Sequence, residues 1–128
     1  MKLLLDTHSL LWWATDRAQL SPAALAVCED PSNVLLLSVV SVWEMQIKAQ
    51  LGKLTLTIPL ATMIDRELHV NGMTLLRVEL AHVLALDTLL AHHKDPFDRL
   101  LIAQTQIEGA TLVSTDGVFS RYGISRLW

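Results

Sequence analysis

The chain has 128 residues, 52% hydrophobic and 18% charged, enough for one packed domain, which argues against long disorder. Its net charge of −3 and the lack of any Lys/Arg run exclude a broad basic surface for nucleic acid, so such a ligand would need a few cations, bound metal, or a surface built from several chains. The most apolar stretch, Val34–Trp43, is about half a membrane span, Asp6 interrupts any signal-peptide core, and the lone Cys28, read as a small core residue, excludes an internal disulfide; the expected location is the cytoplasm.

No repeat, linker or low-complexity segment divides the chain, which reads as a single domain over residues 1–128. Lys2–Asp6 (KLLLD) is a short apolar run that predicts a buried strand. Ser21-Pro22 predicts a helix start, with Ser as N-cap and Pro in the first turn. Val34–Ser38 predicts a second buried strand, and Ser41 with Glu44 an S-x-x-E capping box on a helix closed by Gly52. Pro59 opens a further helix with Leu60, Met63, Ile64 and Leu68 on one stripe, ended by Asn71-Gly72. Met73–Val78 reads as a third strand and Glu79–Leu90 as a helix. Asp95-Pro96 starts a helix whose apolar face is Leu100, Leu101, Ala103 and Ile107, closed by Gly109. Thr111–Ser114 and Ile124–Leu127 complete five strands.

Short apolar strands alternating with amphipathic helices imply an α/β fold with a mostly parallel sheet flanked by helices on both faces. In such a sheet, strand ends and the starts of the following helices share one edge, as do the starts of helices leading into strands. Asp6 ends the first strand, and Glu44 lies in the first turn of the helix after the second. Asp98 lies in the first turn of the helix before the fourth strand, and Asp116 follows that strand. All four carboxylates are therefore expected at the carboxyl edge, where open α/β sheets bind ligands. Four acids together repel one another unless cations intervene, and hard oxygen ligands select Mg²⁺ or Mn²⁺. Each acid also has a plainer reading. Glu44 completes its capping box, Asp98 sits at N3 after an Asp95 N-cap, and Asp116 in S-T-D-G serves a turn. Asp6 is harder to explain away, because a charge closing a buried strand is costly without a partner.

At these residues the sequence resembles the PIN-domain ribonucleases, specifically the VapC-type toxins of bacterial toxin–antitoxin pairs. LLLDTHSLLWW resembles the family's first-strand motif, SVWEMQIKAQLGKL its glutamate helix, HHKDPFDRLLIAQ its central acidic motif and LVSTD its last. The resemblance covers essentially the whole chain. It implies a PIN-like fold with a parallel five-stranded sheet, and a metal-dependent endoribonuclease that is the toxin of a type II pair. It makes Asp6, Glu44, Asp98 and Asp116 the catalytic and metal-site acids, holding one or two Mg²⁺ or Mn²⁺ ions, with Thr7 and Thr115 as hydroxyl neighbours. It also implies an RNA substrate, a cognate antitoxin and a homodimer. A catalytically inert PIN-fold module that only binds partners is the alternative.

The mean hydropathy of +0.39 is high for so small a chain, and points independently to apolar surface facing another chain. Asp95 reads as an N-cap. His92 and His93 stand in a polar loop, where RNA contact is one reading and idle side chains the favoured one. Arg99 is open between a phosphate and a carboxylate. Trp12, Trp13 and Trp43 read as core or interface, with base stacking the minor reading. A phosphatase of the D-x-D type is excluded because His8 stands two residues after Asp6, and no His/Cys set has zinc spacing.

Overall fold

A computed structural model describes residues 1–128. Five parallel strands, β1 (Lys2–Leu5), β2 (Val34–Ser38), β3 (Thr74–Leu76), β4 (Thr111–Val113) and β5 (Arg126–Leu127), form one sheet in the order β3-β2-β1-β4-β5. The centre of the sheet is leucine: Leu3 pairs with Leu35, and Leu4 with both Leu36 and Leu112. Strands buried on both faces need no polar alternation, so KLLL and VLLL read as unbroken apolar runs.

Six helices surround the sheet: α1 (Thr7–Thr15), α2 (Pro22–Glu29), α3 (Val39–Gln50), α4 (Leu60–His69), α5 (Leu80–Ala85) and α6 (Pro96–Glu108). Side-chain alternation along each strand divides the core into two layers. Leu3, Leu5, Leu35 and Leu37 pack with Leu10 and Trp13 of α1, Ala24 and Cys28 of α2 and Met63 of α4. Leu4, Leu36 and Leu112 face the other way, onto Leu101 and Ile102 of α6. The parallel sheet with helices on both faces is thus present as the patterning predicts.

Several local expectations are corrected. Residues 7–15, for which the sequence pattern predicts no element, form α1, whose Leu-Leu-Trp-Trp run lacks amphipathic spacing because Leu11 and Trp12 also pack against the core. The Ser41–Glu44 capping box does not exist. The N-cap of α3 is Ser38, whose Oγ accepts from the Val40 amide at 3.0 Å, because the helix begins directly where β2 stops. Ser41 and Glu44 are instead buried inside the helix. Pro59 is the N-cap of α4, outside the helix rather than in it. The third strand spans only Thr74–Leu76, since it lies at the sheet edge and pairs with β2 alone. The Glu79–Leu90 helix stops at Ala85 and continues as a 3₁₀ turn over Leu86–Thr88. On α6 the buried residues run from Leu101 to Thr105, so Ile102 takes the inward place expected for Ile107, which is exposed.

Strand order reverses at β1. The chain passes from β1 to β2 and β3 on one side, then returns to β4 on the other. The crevice above β1 and β4 is a topological switch point, where ligands of open α/β sheets bind.

Candidate active site

Asp6 directly follows β1 and is the N-cap of α1. Its Oδ1 accepts from the Ser9 amide at 2.9 Å, and its Oδ2 from the Ser114 hydroxyl at 2.5 Å. These bonds, with the positive end of α1, are what allow a carboxylate to stand 9% exposed at the end of a buried strand. Glu44 points from the second turn of α3 and is 4% exposed. Its Oε1 accepts from the Thr7 hydroxyl at 2.7 Å, and its Oε2 lies 2.6 Å from the Lys48 ammonium one turn along the helix.

Asp95 caps α6 as its sequence suggests, with Oδ1 accepting from the amides of Phe97 and Asp98. With that role filled, the Asp98 carboxylate is not needed as a cap and turns to the cleft, its Oδ2 2.7 Å from His93 Nε2. Asp116 caps the 3₁₀ turn Gly117–Tyr122 through Oδ1 and is exposed.

All four sequence-predicted acids line one cleft of about 330 Å³ at the carboxyl edge of the sheet, together with Asp95, and Lys48 is the only Lys or Arg on its wall. His93 adjoins this set: ligand atoms of His93, Asp98 and Asp116 lie within 4.8 Å of one another. Five carboxylates against one ammonium form a hard, electron-rich donor set with an unmet need for positive charge, which suits a divalent cation with oxygen preference. Burial pushes the Asp98 carboxyl up to about 6, with Asp95 and Glu44 adding repulsion and His93 opposing it. The hydrogen bond to Glu44 holds the Lys48 ammonium above its ordinary value.

The raised Asp98 value has a definite sign. The folded chain holds that proton to about pH 6, whereas the unfolded chain releases it near the ordinary value of 3.8. Folded stability from this group is therefore full below the unfolded value and is lost as pH rises through the folded one. In chelator, the melting-temperature advantage of Asp98→Asn over the parent chain should grow between pH 4 and 7. An advantage independent of pH across that range would show that Asp98 is not destabilised by its surroundings.

Three participants are missed by the sequence reading. His93 is no idle loop residue, since its ring holds Asp98; a loop-to-helix contact leaves no spacing signal. Lys48 had one, the i,i+4 interval from Glu44. Ser114, at the end of β4, supplies the buried hydroxyl on Asp6. Thr7 bonds Glu44, and Thr115 lines the cleft without a resolved bond to an acid. Arg99 pairs with no carboxylate: its guanidinium donates to the carbonyls of Leu90 and His93, tying down the loop that carries His93. His92 packs edge-on against Tyr122. Trp13 is core, Trp12 packs on Trp128, and the exposed Trp43 meets Phe97 edge-on.

A larger cavity, about 430 Å³, opens at the opposite edge around Trp13, Cys28, Asp30 and Asn71. Its acids do not converge: Glu29 faces Arg17, and Asp30 is satisfied by Ser32, which lowers its carboxyl. Burial pushes the Cys28 thiol up to about 11, the state of an inert core residue. No helix is long and apolar enough to cross a membrane.

The family model of the PIN domain matches residues 3–124. No curated protein sequence matches the chain. Among solved structures, the DNA-bound VapBC2 of Rickettsia felis is similar with a TM-score of 0.72 at 15% identity, over 99% of this chain and 98% of that one. The DNA-bound VapBC of Salmonella typhimurium gives 0.70 at 15% identity, over 99% and 97%. VapBC-1 of nontypeable Haemophilus influenzae gives 0.68 at 16% identity, over 99% and 97%. At such identities the likeness is one of fold.

Proposed function

Since the chain belongs to the PIN domain family, we propose that it is a metal-dependent endoribonuclease and the toxin of a type II toxin–antitoxin pair. The observation that carries this reading is the meeting of Asp6, Glu44, Asp98 and Asp116 in one cleft at the switch point of the sheet. These four would hold one or two Mg²⁺ or Mn²⁺ ions, with His93 and Asp95 beside them. A divalent ion there supplies Lewis-acid charge for phosphodiester hydrolysis.

The chain's own part is positional. The Ser9 amide and Ser114 hydroxyl fix both oxygens of Asp6, and each oxygen keeps a further lone pair for a ligand. Thr7 and Lys48 fix those of Glu44 in the same manner. Orienting bonds of this kind keep a ligand set in place before the ion arrives. His93 steadies Asp98 and is itself tethered through Arg99.

A cognate antitoxin and a homodimer belong to the proposal. Exposed Leu80, Val83, Leu84 and Leu90, on and after α5, support them as apolar surface in need of a cover.

The deciding experiment is cleavage of single-stranded and structured RNA with Mg²⁺, with Mn²⁺ and with chelator. Cleavage is expected only with an ion present, and random duplex DNA should be a poor substrate. Equal rates on duplex DNA and RNA would refute the RNA assignment. Retained Mn²⁺ binding with no cleavage of any RNA would favour the inert partner-binding module.

A further inference from the structure

The acidic cleft has a neighbour. A groove of about 270 Å³ shares Thr7, His8 and Lys48 with it and extends away to Lys53. The end of α3 accounts for that second lysine. Gly52, at φ +71°, turns the chain in the left-handed region; the Lys53 amide then donates to the Lys48 carbonyl at 2.8 Å and the Gly52 amide to that of Ala49 at 3.2 Å. In this helix-ending turn, the two residues joined by the outer bond, here Lys53 and Lys48, usually touch through apolar side chains. Here both are lysines. Lys48 is shared with Glu44, whereas the exposed Lys53 has no ion pair or side-chain hydrogen bond. The fold thus sets two ammonium groups along one groove and answers only one of them with a carboxylate.

A chain of net charge −3 must bind a polyanion through local cations. Arg99, close to the cleft in sequence, is committed to backbone carbonyls. Lys48 lines both the acidic cleft and the groove, and Lys53 lies further along the groove. We propose that the groove is a phosphate subsite, holding the backbone phosphate next to the one cleaved, with Lys48 and Lys53 as its cations. This rests on the endoribonuclease reading. An RNA strand leaving the acids crosses Thr7 and His8 before reaching Lys53, and the half-buried Leu11 and Leu54 offer apolar surface to a ribose or base.

Lys53→Gln tests this, because an exposed lysine can be neutralised without disturbing the core. With Mg²⁺ and a short single-stranded RNA, KM should rise roughly fivefold while kcat stays within about twofold, as expected when binding common to ground and transition states is lost. In chelator, where cleavage is stopped, the slope of log affinity against log salt should become shallower by about 0.7, the value of one single-strand phosphate contact. Lys53→Glu should weaken binding further. Lys2→Gln, at the opposite edge of the sheet, should change neither quantity. An unchanged KM and salt slope in Lys53→Gln would overturn the subsite, as would a wild-type chain that binds no RNA. RNA binding that loses salt slope in the variant, from a chain that cleaves nothing with any ion, would uphold the groove and overturn the nuclease reading.

Discussion

Asp6→Asn should lower RNA cleavage by roughly 100-fold or more, because even partners that only orient metal ligands are worth 10- to 100-fold. The substitution is close to isosteric. The amide oxygen can still accept from the Ser9 N–H, and the amide nitrogen can donate to Ser114 Oγ, so the cap on α1 and the tie to β4 are kept. What is lost is one charge among the acids of the cleft. In chelator the melting temperature should therefore hold or rise, since one member of a repelling set has gone. Added Mn²⁺ should raise the melting temperature of the parent chain by binding the folded state alone, and should raise that of Asp6→Asn much less. Loss of activity together with a large loss of stability would make Asp6 a structural cap. Full activity in a well-folded variant would remove it from the site altogether.

The parts of this fold that sequence reveals are those fixed by local chemistry. Val34–Ser38 is legible because a strand buried on both faces has no polar position to confuse it. The start of α6 is legible because Asp95-Pro96 supplies both a capping oxygen and a ring suited to the first turn. The site is legible to the same degree, since strand ends and helix starts locate Asp6, Asp98 and Asp116 without any tertiary contact. Glu44 reached the correct edge through the wrong local structure. Ser41-x-x-Glu44 matches a capping box, yet Ser38 stands three residues earlier, at the strand end, and takes the cap. The side chains that tune the acids are less legible. Ser114 meets Asp6 across 108 residues, and His93 reaches Asp98 from a loop held by Arg99 and Tyr122. Helix α1 escapes because its apolar residues are packed on more than one side.

Gln104→Leu should destabilise the fold by about 3 kcal/mol, since each buried polar group left without a partner costs roughly 1–3 kcal/mol. Gln104 is fully buried on α6 and joins three elements. Its Oε1 accepts from the Ser38 hydroxyl at 2.6 Å, and its Nε2 donates to the Arg77 carbonyl at 3.2 Å. It also lies against His82, which accepts the Glu79 amide at Nδ1 and so presents Nε2–H to Glu108 at 3.0 Å. Leucine fills similar space, and its added apolar burial offsets part of the cost, but Ser38 and Arg77 lose their partners. At a few degrees per kcal/mol for a chain of this size, the melting temperature should fall by about 10 °C. The effect should reach the acids as well. Ser38 caps α3 while bonded to Gln104, and α3 carries Glu44 and Lys48, so a loosened helix start should weaken Mn²⁺ affinity although no ligand has changed. In a double-mutant cycle, Ser38→Ala with Gln104→Leu should cost about 1 kcal/mol less than the sum of the single changes, because the orphaned hydroxyl is gone. Strict additivity, or a Gln104→Leu chain that melts with the parent, would mean that this buried network neither stabilises the fold nor positions Glu44.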